Sequence, residues 1–66
     1  MIKRTWESPN VKYHVSVRKF EDGAVLVGFW KIAADGNLKD IRYRNLPQYV
    51  KDKIDELKQE VKEWPI

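Results

Sequence analysis

Val11-Lys12-Tyr13-His14-Val15-Ser16-Val17-Arg18-Lys19-Phe20 is the stretch that decides the fold, because apolar and polar side chains alternate along it. Alternation with a period of two, together with repeated valines, is typical of a half-buried β-strand. One face of this strand carries Val11, Tyr13, Val15 and Val17, and the other carries Lys12, His14, Ser16, Arg18 and Phe20. Residues 11–20 are therefore predicted to bury one side and expose the other.

Residues typical of turns predict that further strands pair with this one to form a sheet. Glu21-Asp22-Gly23 and Asp35-Gly36-Asn37 each predict a hairpin turn, because glycine supplies the positive φ that such turns need. Ser8-Pro9-Asn10 is a break ahead of the strand. The predicted strands cover about residues 2–6, 11–20, 24–32 and 38–44. The expected sheet is an antiparallel meander of three to four strands, since residues 2–6 count only if they pair.

The period changes in the last third of the chain. Apolar residues recur there at steps of four and three, at Val50, Ile54, Leu57, Val61 and Trp64. This spacing places them in one stripe on an α-helix. We predict a helix over about residues 46–64, with Asn45 as its N-cap, whose stripe covers the inner face of the sheet. Residues 1–66 are thus expected to form a single α+β domain, a curved meander followed by one helix.

Composition excludes several kinds of chemistry. The 66 residues contain no cysteine and a single histidine, so disulfides, thiolate metal sites and thiol catalysis are excluded. His14 has no set of partners typical of a catalytic triad or a metal site, and no glycine-rich phosphate loop is present. The acids after residue 50 alternate with lysines, as on a solvated helix face. We expect a protein that is not an enzyme and that needs no cofactor.

Charge is unevenly distributed along the chain. The net charge is +3; residues 1–45 hold nine basic and five acidic residues, and residues 46–66 hold four and five. A basic excess in the sheet-forming part favours a polyanionic partner. The longest apolar run, Ala24–Trp30, is too short to span a membrane, and no apolar leader follows Met1. We therefore expect a cytoplasmic or nucleoid-associated protein without membrane contact.

The register of the hairpins determines which side chains share a surface. A three-residue turn at 21–23 pairs His14 with Trp30, Ser16 with Gly28 and Arg18 with Leu26. In the second hairpin, a two-residue turn would turn Arg42 and Arg44 into the core, where unpaired guanidinium groups cost several kcal/mol each. We therefore predict a three-residue turn at 35–37, which pairs Trp30 with Arg42 and Gly28 with Arg44.

This register predicts an outward surface that combines aromatic rings with cations. Unpaired bases stack on such rings, and neighbouring cations hold the phosphates, so we expect single-stranded nucleic acid to bind there. The expected phosphate contacts are Lys12, Arg18, Arg42 and Arg44. The expected stacking residues are Phe20 and Trp30, and the secondary polar contacts are His14 and Ser16. Lys31 and Lys39 lie near an edge or turn and are expected to steer the ligand.

Other functions remain open from the same residues. The apolar outward side chains could instead form a subunit interface, and a homodimer is expected of so small a core. A three-stranded sheet that inserts into the major groove of duplex DNA, as in integrase-arm domains, would use Arg18, Arg42 and Arg44 to contact bases. A protein-interaction module would use the apolar residues directly and would lose little affinity as salt rises.

Several segments together resemble a known family. They are Tyr13-His-Val-Ser-Val-Arg-Lys-Phe20, Gly23-Ala-Val-Leu-Val27, the Asp35-Gly36 turn and the terminal helix. Over about residues 12–62 the chain resembles the single-stranded-DNA-binding domain of the positive-cofactor-four transcriptional coactivators and their prokaryotic and phage relatives.

The resemblance implies a curved sheet followed by a helix, a dimer in which the helix takes part, and a role in transcription regulation. It places Arg18 and Phe20, and roughly Lys12, at DNA-contacting positions of the family. Trp30 and Lys31 are out of step with the family's Arg and Trp and correspond to them by chemistry alone. The basic loop before the last strand is shortened here to Leu38-Lys39-Asp40.

Overall fold

A computed structural model of the chain describes residues 1–64. Its elements are β1 (Ile2–Glu7), β2 (Tyr13–Lys19), β3 (Val25–Ile32), β4 (Leu38–Asp40), a short 3-10 helix (Tyr43–Asn45) and α1 (Gln48–Glu63). The four strands form one antiparallel sheet in the order β1-β2-β3-β4. The predicted α+β class, a meander followed by one helix, is confirmed, and β1 adds the fourth strand.

The connection between β1 and β2 is organised by Ser8, which is buried. Its backbone N–H donates to the Tyr13 carbonyl at 2.9 Å, and its hydroxyl oxygen accepts the N–H groups of Lys12 and Tyr13, each at 3.0 Å. Val11 lies in this turn with φ 54 and is exposed. The prediction that Val11 belongs to the buried face of the strand is therefore wrong, because β2 begins only at Tyr13.

The first hairpin has the predicted register. His14 pairs with Trp30, Ser16 with Gly28 and Arg18 with Leu26. The Phe20 N–H donates to the Ala24 carbonyl and closes a three-residue loop over 21–23. Gly23 ends that loop with φ 89, a conformation that glycine adopts without steric cost.

The second hairpin is three residues long, as predicted, but its register is wrong by two residues. Its loop covers 34–36, because the Ala33 N–H bonds the Asn37 carbonyl, and Trp30 consequently pairs with Asp40. β4 ends at Asp40, so the predicted strand over 38–44 stops four residues early. Arg42 lies beyond the last paired residue, and Arg44 lies in the 3-10 helix.

The helix begins later than predicted, at Gln48. Leu46 precedes Pro47 and is extended (φ −76, ψ 139), since a residue before proline disfavours the α-conformation. Asn45 therefore belongs to the 3-10 helix and does not cap α1, whose N-cap position is Pro47. The core lies between α1 and the inner face of the sheet, and its buried members are Val15, Val17, Leu46, Val50, Ile54, Leu57 and Val61.

The helix stripe is confirmed at its four buried positions but not at its last one. Trp64 ends α1 as its C-cap residue and is 43% exposed. The Arg4 guanidinium stacks on the Trp64 ring at 4.0 Å, and Lys19 Nζ donates to the Trp64 carbonyl at 2.8 Å. The end of the helix is thus held to β1 and β2 by cations, which also suit the negative end of the helix dipole.

α1 is the one long helix among residues 1–64. None of the described helices has the length and apolar character that a membrane crossing requires.

Candidate functional site

The side of the sheet that faces away from α1, here called the outer face, carries its side chains in rows that cross the strands. Antiparallel pairing aligns directly opposite residues on the same face, so the strand registers define each row. The basic row contains Lys3, Arg18 and Leu26. The middle row contains Thr5, Ser16 and Gly28, and the aromatic row contains Glu7, His14, Trp30 and Asp40. A fourth row contains Lys12, Ile32 and Leu38.

The middle row forms a shallow trough, because its three residues are among the smallest on the outer face. The basic row lies along one side of this trough and the aromatic row along the other. Successive rows on one face are separated by two residues along each strand, about 7 Å. The trough therefore crosses β1 and β2 and is partly filled at β3 by the indole of Trp30. One of its sides carries two cations, and the other carries two rings between two carboxylates.

The indole of Trp30 leans from its own row over Gly28. A Cβ placed on residue 28 would overlap Cη2 of the indole and lie 3.0 Å from Cζ2 and Cζ3. Glycine is thus the residue that lets the ring lie against the backbone of its own strand. The indole therefore fills part of the space that the absent side chain of Gly28 leaves on the outer face.

A histidine supports the indole from the neighbouring strand. The ring centroids of His14 and Trp30 are 5.8 Å apart with an interplanar angle of 44°. His14 Nδ1 lies 3.5 Å from Glu7 Oε1 on β1. The carboxylate orients the imidazole and the imidazole packs on the indole, so the ring of Trp30 is held by contacts on two sides.

A pocket of about 290 Å³ opens beside the indole. It is lined by Ser16, Arg18, Leu26, Val27, Gly28 and Trp30. Ser16 is 6% exposed, and its hydroxyl has no hydrogen-bond partner within residues 1–64. An unpartnered buried hydroxyl costs about 1–3 kcal/mol, so a ligand atom that reached it would recover that free energy.

The outer face carries separated charges. Its cations are Lys3, Lys12 and Arg18, and its acids are Glu7 and Asp40. Lys3 and Arg18 lie directly opposite each other on β1 and β2, where like charges repel. Neither forms an ion pair with an acid in the described part of the chain. A bound anion between these two cations would relieve their repulsion.

Most of the predicted site residues lie on the outer face. Lys12, His14, Ser16, Arg18 and Trp30 belong to its rows, and Phe20 extends the same face past the end of β2. The structure therefore brings together the predicted indole, the histidine and one arginine.

Four of the predicted residues do not lie there. Arg42 and Arg44 are exposed beyond β4, because the shifted register places Asp40 beside Trp30. Lys31 shares a register position with Tyr13, which packs on Tyr49 of α1. Lys31 and its partner Lys39 thus belong to the opposite side of the sheet from Trp30. The prediction that Trp30 lies between His14 and Arg42 is wrong.

Sequence reasoning missed the contribution of β1. Lys3 and Thr5 join the outer face because β1 pairs with β2 along its whole length. The available signal was the spacing of Ile2 and Trp6, which places both on one face of a strand and Lys3, Thr5 and Glu7 on the other.

The site offers stacking, hydrogen bonding and cations, but no cluster of metal-ligating side chains. Over the described residues, no three histidine, aspartate or glutamate side chains are grouped closely enough to hold a metal ion.

Comparison with known proteins gave no relative: no family model, curated protein or solved structure matches the chain. Any function of the outer face must therefore be inferred from its own geometry and chemistry.

Proposed function

We propose that the protein binds single-stranded nucleic acid, DNA in the first instance, along the trough of the outer face and without catalysis. The observation that carries this proposal is the combination of an oriented indole on one side of the trough with two cations on the other, neither paired to an acid within residues 1–64. A single strand presents bases and phosphates on different sides of its backbone. The trough offers a matching surface to each.

The cations account for the phosphate contacts. Lys3 and Arg18 lie opposite each other with no acid paired to either in residues 1–64. For a single strand, the affinity falls with salt at a log–log slope of about −0.7 for each phosphate neutralised. Two contacts correspond to a loss of roughly sevenfold for a fourfold rise in salt.

The rings account for the preference for unpaired bases. Base stacking on an aromatic side chain contributes about 1–3 kcal/mol per base and tolerates any sequence. Trp30 is half-buried and Phe20 lies on the same face, so their rings can accept bases that are not already stacked in a duplex. Ser16, at the floor of the pocket, can donate to or accept from the edge of a stacked base.

The shifted second hairpin weakens the duplex alternative. Two of the three arginines expected to contact bases in a major groove, Arg42 and Arg44, do not lie on the outer face. The protein-interaction alternative is favoured by two exposed leucines, Leu26 at 55% and Leu38 at 49%.

Salt dependence distinguishes these functions. Fluorescence anisotropy of a labelled oligonucleotide, single-stranded or annealed to its complement, is to be measured at about 50 mM and about 200 mM salt. The proposal requires tighter binding of the single strand and a loss of affinity at the higher salt. Equal binding of the single-stranded and annealed forms, or no binding at the lower salt, would refute the proposal. An RNA of the same sequence is measured in parallel to compare RNA with DNA.

We also propose that the protein acts in the cytoplasm or at the nucleoid as a homodimer, in a role related to transcription. This part rests on the resemblance to the positive-cofactor-four domain and on the small size of the core. The resemblance also implies a sheet followed by a single helix, which is the fold of residues 1–64.

A further inference from the structure

The outer edge of β1 carries the backbone groups from which a second inference follows. The Ser8 N–H donates to the Tyr13 carbonyl, so alternate residues of β1 bond to β2, beginning from that pair. The N–H and C=O groups of Lys3, Thr5 and Glu7 therefore point away from β2. No other strand of residues 1–64 pairs with this edge, since β1 is the first strand of the sheet.

An unpaired edge of six residues is a template for another strand. We infer that the partner is β1 of a second copy of this chain, paired antiparallel about a two-fold axis through Thr5. This inference concerns assembly and does not rest on the proposed binding of nucleic acid.

The charges of β1 select this register. A two-fold axis at Thr5 places Lys3 opposite Glu7 of the second copy, and this pair occurs twice. It also places Arg4 opposite the second copy's Trp6, so no like charges face each other in this register. Facing opposite charges stabilise a sheet, and the three outward-pointing residues could exchange up to about six backbone hydrogen bonds.

Neighbouring registers are less favourable. An axis at Trp6 leaves no facing pair of opposite charges and brings Pro9, which has no N–H to donate, opposite Lys3. An axis at Arg4 places the two Arg4 side chains opposite each other, and an axis at Lys3 does the same with the two lysines. Like charges directly opposite destabilise a sheet. An axis at Glu7 pairs the two glutamates and brings Pro9, which has no N–H to donate, opposite Thr5.

The same axis joins the troughs of the two copies. Thr5 belongs to the middle row, so its pairing with Thr5 of the second copy makes the two middle rows continuous. The joined middle rows then cross six strands, with a Trp30 indole at each end, and the basic row of each copy continues into the aromatic row of the other. With strands about 4.8 Å apart, a row across six strands is roughly 24 Å long.

A charge-swap experiment tests the inference without any nucleic acid. Sedimentation equilibrium of the full chain should show a dimer. Lys3→Glu alone and Glu7→Lys alone should each weaken dimerisation by roughly tenfold or more, because attraction becomes repulsion at two symmetric pairs. Circular dichroism checks that each variant folds, and Lys39→Glu on β4, which makes the same change of charge, should leave dimerisation unchanged.

Recombination of the variants identifies the register. Mixing Lys3→Glu with Glu7→Lys places an acid opposite a lysine at every facing pair, so the mixture should dimerise as the wild type does. The double variant, with both changes in one chain, should dimerise as well. A monomeric wild type, single variants that dimerise normally, or a mixture that stays monomeric would each overturn the inference.

Discussion

Trp30 and Gly28 form a matched pair of residues on one strand. The indole lies where a Cβ on residue 28 would lie, and His14 packs against it from β2. A large apolar ring is thereby held partly exposed on a sheet surface, in an orientation that leaves room beside it for a second ring. The alternating pattern of β3 predicts the face on which Trp30 lies but not the direction in which its ring leans.

Removing this ring should weaken binding without unfolding the protein. Trp30→Ala should reduce the affinity for a single-stranded oligonucleotide by about 1–3 kcal/mol, because one stacking surface is lost. Anisotropy measures the affinity, and circular dichroism measures the fold. Trp64→Ala is the matched control, since Trp64 lies at the end of α1 and should not affect the affinity. An unchanged affinity in folded Trp30→Ala would count against stacking.

Gly28→Ala should have opposite effects in two backgrounds. In the wild type the new methyl group displaces the indole from His14, and an aromatic contact of about 0.5–1.5 kcal/mol is lost. In the Trp30→Ala background nothing remains to be displaced, so the replacement should stabilise the strand by roughly 0.5–1 kcal/mol. Urea unfolding of the four proteins in this cycle gives both values. The same sign in both backgrounds would show that the indole does not cover Gly28.

At the scale of elements, α1 stabilises the sheet through a single apolar stripe. Its four buried residues cover Val15 and Val17 of β2, whose side chains are completely buried. Leu46 enters the same core from the segment before the helix. The stripe was predictable because its spacing matches the helical period. The position of Leu46 was not, because it depends on how the chain crosses from β4 to α1.

Truncation within this stripe should be costly. Ile54→Ala should lower the free energy of unfolding by about 2–5 kcal/mol, because it removes transfer free energy and leaves a cavity. A domain of this size has a total stability of roughly 3–10 kcal/mol, so the variant should be close to unfolded. Thermal unfolding monitored by circular dichroism checks this. Asp55→Ala, on the exposed side of the same turn, should change stability by less than about 0.5 kcal/mol.

The register of the second hairpin could not be predicted from hydrophobic alternation alone. A register shift of two residues keeps every side chain on its face, so the hydrophobic pattern cannot distinguish the predicted pairing from the observed one. The turn chemistry could have done so. In both hairpins an aspartate occupies the second loop position and a glycine with φ near 90 the third, Asp22-Gly23 and Asp35-Gly36.

The aspartates in these two loops accept equivalent hydrogen bonds. Asp22 Oδ1 accepts the Ala24 N–H at 2.9 Å, and Asp35 Oδ1 accepts the Asn37 N–H at 3.0 Å. Reading both loops as one motif places the second loop at 34–36. The outer-face residues of β2 and β3 were thus predictable from alternation, whereas Arg42 and Arg44 were misplaced by a turn that starts one residue earlier.

At the scale of the whole molecule, the sheet separates two functions. Its inner face and α1 form the core, and its outer face carries rows of cations and rings on either side of the trough. No described contact ties Lys3 or Arg18 to an acid, although Glu7 lies on the same strand as Lys3. Within one copy, the basic row is therefore free to meet phosphate.

Two double variants, each of which removes two positive charges, test the role of the basic row in binding. Lys3→Ala with Arg18→Ala should flatten the dependence of log affinity on log salt by about 1.4, since two phosphate contacts are removed. Arg42→Ala with Arg44→Ala removes the same charge away from the outer face and should flatten it less. Anisotropy titrations over a salt series give both slopes. A larger effect of the second pair would assign the phosphates to residues 42–44 instead.

The most direct test of the trough is to map by NMR which residues contact a bound oligonucleotide in solution. A ¹⁵N-labelled sample titrated with a single-stranded oligonucleotide should show the largest shift changes at the indole N–H of Trp30 and the amides of Thr5, Ser16 and Gly28. Amides on the exposed side of α1 should barely move. Changes confined to α1 or to residues 42–45, with the trough unaffected, would contradict the proposed binding surface.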